Sequence, residues 1–269
     1  MRTLAIALAG IVVLLYGLAV AALRWLEGRL IYPLERLREV TPNPDAERLA
    51  LVPIGTVDGI ELTCRYQAST RADGMTVVLF HGNGEDLSQR VHIAHDLVAE
   101  GYGVFLAEYR GYGGNAGHPS EAGLYADGRA ALAFVAARTS RIVLHGYSLG
   151  SGVAVQLATE YPISALALEA PFTCIADVAR TRFPFLPMRW LVRDRYDNLA
   201  KIGHVEAPVL IYGGSRDRVV PPQHFARLFD AVRASRRLIV IEGADHIDVW
   251  AKGGDALMLA FLRELSRSA

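Results

Sequence analysis

Gly146-Tyr147-Ser148-Leu149-Gly150 stands at the seam between one apolar run, residues 142–145, and a second, residues 153–158. A serine framed by two glycines, where a strand gives way to a helix, reads as a nucleophile elbow. The sharp turn lifts the hydroxyl clear of the backbone, and the glycines leave room for that turn. The pentapeptide alone is weak evidence, so the surrounding pattern has to carry the reading.

Working outward, short runs rich in Val, Ile, Leu and Phe recur at residues 75–80, 103–108, 141–146, 165–170, 208–213 and 237–242. Segments of helical period separate them, at residues 91–100, 121–138 and 222–234. Strands alternating with helices predict an α/β fold whose mostly parallel, twisted sheet is covered on both faces. Ahead of them, residues 49–57 and 60–67 flank Asp58-Gly59, a dipeptide suited to a two-residue hairpin turn, so the sheet is expected to begin antiparallel.

In open α/β sheets the working groups lie beyond the carboxyl ends of the strands. Ser148, Asp217 and His246 each follow an expected strand, in the order serine, acid, histidine. A serine hydroxyl attacks poorly until a histidine takes its proton. A buried carboxylate then fixes that histidine's tautomer and steadies its positive charge. His81-Gly82-Asn83-Gly84 leaves the strand at 75–80, where backbone N–H groups can meet a developing oxyanion. The expected donors are the amides of Leu149 and Asn83.

With these residues in view, the chain resembles the α/β-hydrolase superfamily. Within it, the chain is similar to a branch of membrane-anchored serine hydrolases related to the bud-emergence proteins and to protein depalmitoylases. The resemblance covers roughly residues 50–267. It rests on the elbow together with HGNG at 81–84, YRGYGGNAGHPSEAGLYADG at 109–128, EAPF at 169–172, GSRDRVVP at 214–221 and ADHIDVW at 244–250. It implies Ser148 as nucleophile, Asp217 as acid, His246 as base and Asn83 and Leu149 as oxyanion donors. Two positions depart from the pattern: Glu85 and Asp86 stand where relatives read HGNAGN, and Ala170 stands where an asparagine often precedes the proline.

Other polar residues have simpler readings. His81 and His145 each adjoin a strand end and a glycine and are expected to be structural. Asp245 and Asp248 flank His246 without a second histidine or cysteine at ligand spacing, so neither a metal nor another cofactor is expected. The glycine-rich stretch 110–117 lacks the Lys-Ser/Thr of a phosphate loop and reads as structural. Asp194 and Asp197 are rival acids, but they fall in an insertion rather than at a strand end.

From Thr3 to Leu23 run twenty-one uncharged residues, enough for one transmembrane helix. A cleaved secretory signal ending at Ala19-Val20-Ala21 is the rival reading. Residues 25–34, with Trp25 and Tyr32, suit an interfacial segment, and Arg24, Arg29, Arg36 and Arg38 bias the catalytic domain to the cytoplasmic side. The expected division is an anchor and juxtamembrane segment at 1–40 and a catalytic domain at 41–269, joined through 41–45. Twenty-eight basic against twenty-eight acidic residues give no charged footprint for nucleic acid, and two cysteines make no disulfide scaffold.

Between the strands ending at 170 and starting at 208, the chain inserts a small cap, at about 172–206. Phe172, Phe183, Phe185 and Trp190 in and beside it are candidates for an apolar wall receiving an acyl chain. Alternatively, a helix or two buries them against the sheet. The sequence therefore predicts a membrane-anchored serine hydrolase acting on small or lipid-like acyl substrates, esters or thioesters. Peptidase or amidase activity on the same triad is the nearest rival, and a non-catalytic binding protein on this fold is the alternative from another class.

Overall fold

The computed structural model describes residues 2–37 and 47–267; the joint expected at 41–45 lies outside them. The eight strands are β1 (Ala50–Gly55), β2 (Glu61–Gln67), β3 (Thr76–Phe80), β4 (Gly103–Ala107), β5 (Ile142–Tyr147), β6 (Ala165–Glu169), β7 (Val209–Gly214) and β8 (Arg236–Ile241). The helices are α1 (Arg2–Ile31), α2 (Leu34–Leu37), α3 (Val91–Ala99), α4 (Glu121–Ala136), α5 (Leu149–Glu160), α6 (Ile175–Arg182), α7 (Met188–Leu191), α8 (Asn198–Lys201), α9 (Gln223–Ala231) and α10 (Asp255–Arg267).

The strands form one sheet in the order β1-β2-β4-β3-β5-β6-β7-β8. β1, β2 and β4 pair antiparallel, and every pair from β4 to β8 is parallel. Continuous burial of β3, β4, β5, β6 and β7 explains their near-continuous apolar sequence, because both faces of a parallel sheet are covered. Alternate side chains feed two cores. Val78 and Phe80 join α4, α5 and α9, while Val77 and Leu79 join α3 and α10.

The opening hairpin differs from the expected two-residue turn. β1 and β2 pair through Gly55 and Glu61, leaving a five-residue loop at 56–60. Thr56 explains the wider turn: its N–H donates to the Ile60 carbonyl at 2.8 Å, and its hydroxyl oxygen accepts the Ile60 N–H at 2.9 Å. Asp58 is turned away to receive Arg110 at 2.6 and 3.0 Å. Gly59, with φ of +85°, supplies the left-handed residue that this loop needs.

The amino-terminal segment is helical, as α1, but among the described residues no helix is long and apolar enough to cross a membrane. The transmembrane crossing expected over 3–23 is corrected accordingly. The second half of α1 packs against the core beside the sheet instead. Val20 packs against the core, and Ile31 and Tyr32 are buried in it. Arg24 donates to the carbonyls of Trp190 and Leu191, and the Glu27 carboxylate accepts the Arg193 and Asp194 N–H groups. The Tyr32 hydroxyl lies 2.8 Å from both Asp194 and the Tyr196 hydroxyl.

The insertion at 172–206 folds as α6, α7 and α8 over the carboxyl end of the sheet, against α1 on one side and α5 on the other. Tyr196 is fully buried and rests on Gly152 of α5, where a Cβ would come within 2.5 Å of its ring. Cys64 in β2 and Cys174 ahead of α6 are buried free thiols, and burial pushes them up to about 12 and about 11.

Candidate active site

Ser148 occupies the turn between β5 and α5 with φ of +49° and ψ of −116°, a conformation that costs a non-glycine residue energy unless its surroundings enforce it. They do so tightly. A Cβ on Gly150 would meet the Phe80 carbonyl oxygen at 2.1 Å, and one on Gly146 would meet the Gly150 oxygen at 2.6 Å. The Ser148 N–H donates to the Glu169 carbonyl at 2.9 Å, and the Ser151 hydroxyl donates to the Ser148 carbonyl at 2.6 Å.

Asp217 lies in the loop after β7. One carboxylate oxygen accepts the N–H groups of Val219 and Val220 at 2.9 and 2.7 Å, and the other lies 2.7 Å from His246 Nδ1. His246 follows β8, and its Nε2 lies 3.0 Å from the Ser148 hydroxyl. With Nδ1–H donating to the carboxylate, Nε2 is left with a lone pair facing the Ser148 hydroxyl, an arrangement able to accept its proton. All three residues are buried. The structure brings together the three residues that the sequence singled out from three separate strand ends.

Leu149 is the first residue of α5, where the backbone N–H has no helical partner and the helix end carries partial positive charge. Asn83 lies in the loop after β3. Its side-chain amide donates to the Ile31 carbonyl at 2.9 Å, and its own carbonyl accepts the Tyr112 hydroxyl at 3.3 Å. Among the described residues neither the Leu149 nor the Asn83 backbone N–H has an acceptor.

The remaining polar candidates take supporting places. His81 bridges the Gly82 carbonyl and Glu108, both at 2.7 Å, and His145 bonds the Tyr212 hydroxyl at 2.8 Å. Asp245 accepts the His246 N–H, and Asp248 accepts the Asp245 N–H, so this pair braces the histidine loop. Asp194 receives Tyr32, and Asp197 caps α8 through the Ala200 N–H, away from His246.

The four aromatic candidates do not form one closed wall. Phe172 is 2% exposed and belongs to the core, whereas Phe185 and Trp190 are 91% and 83% exposed and Phe183 is partly so. A cavity of about 290 Å³ in the cap is lined by Cys174, Arg189, Arg195, Asp197 and Leu199, and none of these aromatics or of the triad borders it.

Sequence reasoning missed a buried layer beneath the triad. The Tyr147 hydroxyl donates to the His246 carbonyl at 3.1 Å, the Arg90 guanidinium stacks 3.5 Å from the Tyr147 ring, and Glu169 faces Arg90 at 3.5 Å. Burial alone would raise the Glu169 carboxyl, but Arg90, with His145 and His246, holds it below the usual carboxylate value. The available signal was three charged residues, Glu85, Asp86 and Arg90, just ahead of an apolar helix.

Comparison with known proteins agrees with this architecture. A family model described as serine aminopeptidase, S33, matches residues 72–199. An uncharacterized protein of Mycobacterium tuberculosis is 39% identical over 81% of this chain and 79% of its own length. The α/β hydrolase domain-containing protein WAV2 of Arabidopsis thaliana is 31% identical over 79% of this chain and 77% of its own.

The chain belongs to the α/β-hydrolase superfamily. This α/β-hydrolase is also similar to the protein bem46 of Schizosaccharomyces pombe, at 31% identity over 77% of this chain and 75% of that one. Among solved structures, the Pyrococcus furiosus esterase Pf2001 shares the fold with a TM-score of 0.68 at 19% identity, covering 84% of this chain and 94% of the esterase.

Proposed function

We propose that this α/β-hydrolase cleaves carboxylic esters or thioesters through an acyl-enzyme formed on Ser148. The observation that carries the reading is the hydrogen-bonded path from the Ser148 hydroxyl to His246 at 3.0 Å and on to Asp217 at 2.7 Å. In this scheme Ser148 Oγ attacks the carbonyl carbon while its proton passes to His246 Nε2. The Asp217 carboxylate holds the imidazolium through Nδ1–H, and the carbonyl oxygen, now an anion, accepts the N–H groups of Leu149 and Asn83. Collapse returns the proton from Nε2 to the leaving alcohol or thiol. Water, deprotonated by the same nitrogen, then attacks the acyl carbon and frees Ser148.

The fold shared with an esterase of P. furiosus and with a monoacylglycerol lipase of Paleococcus ferrophilus supports acyl substrates. The exposed aromatic rings of the cap suit a substrate with an apolar tail. The serine aminopeptidase description of the family model favours a second reading, hydrolysis of amides by the same residues. We further propose that the first half of α1, where Leu4, Ile6, Leu8, Ile11, Val13 and Leu14 are exposed, rests against a membrane surface without crossing it.

The deciding experiment combines fluorophosphonate labelling with a panel of esters, thioesters and amides graded by acyl length. The ester reading expects labelling that Ser148→Ala removes, and turnover of esters or thioesters well above that of matched amides. Faster amide cleavage would favour the peptidase reading. Labelling and turnover unaltered in Ser148→Ala would overturn both.

A further inference from the structure

Arginine is costly to bury, and a guanidinium withdrawn from water needs anions and acceptors placed around it. The Arg90 side chain is 8% exposed, directly below the proposed catalytic residues. It ends a short turn, Leu87–Arg90, that Asp86 and Gln89 fix through a reciprocal capping box. Glu108 fastens the start of that turn by accepting the Leu87 N–H at 3.0 Å. Arg90 is therefore presented from a rigid element.

Its partners are instructive because each belongs to a different catalytic segment. Arg90 Nε donates to Glu85 Oε1 at 2.7 Å, and the same oxygen accepts the Gly82 N–H at 2.8 Å. One carboxylate oxygen thus draws together the buried cation and the His81–Gly82 peptide, one peptide ahead of the Asn83 N–H. The guanidinium plane lies 3.5 Å from the Tyr147 ring, the residue before Ser148, and the Tyr147 hydroxyl holds the His246 carbonyl at 3.1 Å. Arg90 Nη1 faces Glu169 at 3.5 Å, and the Glu169 backbone carbonyl accepts the Ser148 N–H at 2.9 Å. Gly82 lies so close to Tyr147 that a Cβ there would meet the ring at 2.9 Å.

We propose that Arg90 and Glu85 act as a pair of positioning residues, holding the His81–Gly82 peptide against the Tyr147–Ser148 turn and so setting the path of the next peptide, whose Asn83 N–H then faces a carbonyl oxygen bound above Ser148. The proposal rests on the reading of Ser148 as nucleophile. Neither side chain touches the substrate. Their work is to fix a donor whose value depends on aim, and losing one such donor in a serine hydrolase lowers kcat by roughly 10²–10³-fold. A misaimed donor, still present, should cost less.

The test uses the full chain, a p-nitrophenyl butyrate assay and thermal unfolding, with Ser148→Ala as control. Glu85→Ala removes the acceptor for Gly82 and the partner of Arg90. The expected result is kcat lowered about 10- to 100-fold with KM within about threefold of wild type. Glu85→Gln keeps an oxygen for the Gly82 N–H and is expected to recover most of that loss. Arg90→Lys keeps the charge but loses the stacked plane and is expected to lower kcat about tenfold.

Glu85→Ala turning over within twofold of wild type would overturn the proposal. So would a Glu85→Gln as impaired as Glu85→Ala, with kcat falling only in step with the folded fraction, since that pattern marks a purely structural contact. If Glu85→Ala fails to fold, Glu85→Gln and Arg90→Lys decide: kcat unchanged in Arg90→Lys refutes the pair's role. Esterase activity in the Ser148→Ala control equal to that of wild type removes the nucleophile reading itself, and the proposal falls with it.

Discussion

Ser148 is held at positive φ by a turn that Gly146, Gly150 and the Glu169 carbonyl enclose, so the backbone sets the direction in which its side chain leaves the turn. Ser148→Ala is expected to reduce esterase turnover below about one per cent and to leave thermal unfolding nearly unchanged. Asp217→Asn keeps the shape of the acid but favours the wrong imidazole tautomer. In a well-studied triad that change lowers turnover by about 10⁴, and a comparable loss is expected in steady-state kinetics here. Gly150→Ala should behave oppositely, with a large fall in the unfolding temperature, because its new methyl has no place beside the Phe80 and His81 carbonyls. Ser148, Asp217 and His246 could be picked out as candidates in the sequence because each lies within a few residues of the end of an apolar strand, which a linear pattern can reveal, and the structure brings the three side chains together. Arg90 could not, since its importance lies in partners at 85, 147 and 169 that only the folded sheet brings together.

At the scale of elements, the strands were legible to within a residue or two. Buried parallel strands leave unbroken Val, Ile and Leu runs, and helices interrupt them with a different period. The docking of α1 on the cap was not, because it depends on hydrogen bonds from Arg24, Glu27 and Tyr32 to residues more than 160 positions away. The Ile31 carbonyl also receives the Asn83 side chain, which ties the end of α1 to the loop proposed to hold the oxyanion. A chain starting at Trp25 keeps the Glu27, Ile31 and Tyr32 bonds, whereas one starting at Pro33 has none of them. The second is expected to unfold at lower temperature and to show a lower kcat, measured by thermal melts and ester hydrolysis of both. On the cap, Trp190→Ala should leave stability unchanged, because the ring is 83% exposed. If that ring receives acyl chains, the substitution should weaken turnover of medium-chain esters more than of acetates, at about 0.8 kcal/mol for each methylene that the ring no longer shields from water.

For the molecule as a whole, acid stability should depend on its buried anions. Burial alone would raise Glu169 and Asp177, but Arg90 acts on the first, and the Thr173 hydroxyl with Arg227 and Arg189 acts on the second, so both are held below the usual carboxylate range. A depressed folded value contributes stability above the unfolded carboxylate pKa of about 4, and that stability is lost as pH falls through the folded value. Asp127 runs the other way, since its burial outweighs Arg110. The unfolding temperature is therefore expected to decline as pH is lowered from about 5 toward 3, with a shallower decline in Glu169→Gln.

The two buried thiols carry a consequence of another kind. Cys64 sits within the sheet and Cys174 at the cap, both unpaired, and burial keeps both thiols protonated near neutral pH. Nothing in the fold waits for an oxidant to staple it, and neither thiol is poised to react with one. The enzyme should mature and keep its shape equally well in glutathione-rich and in oxidising surroundings, so redox chemistry does not commit the catalytic domain to one side of a bilayer.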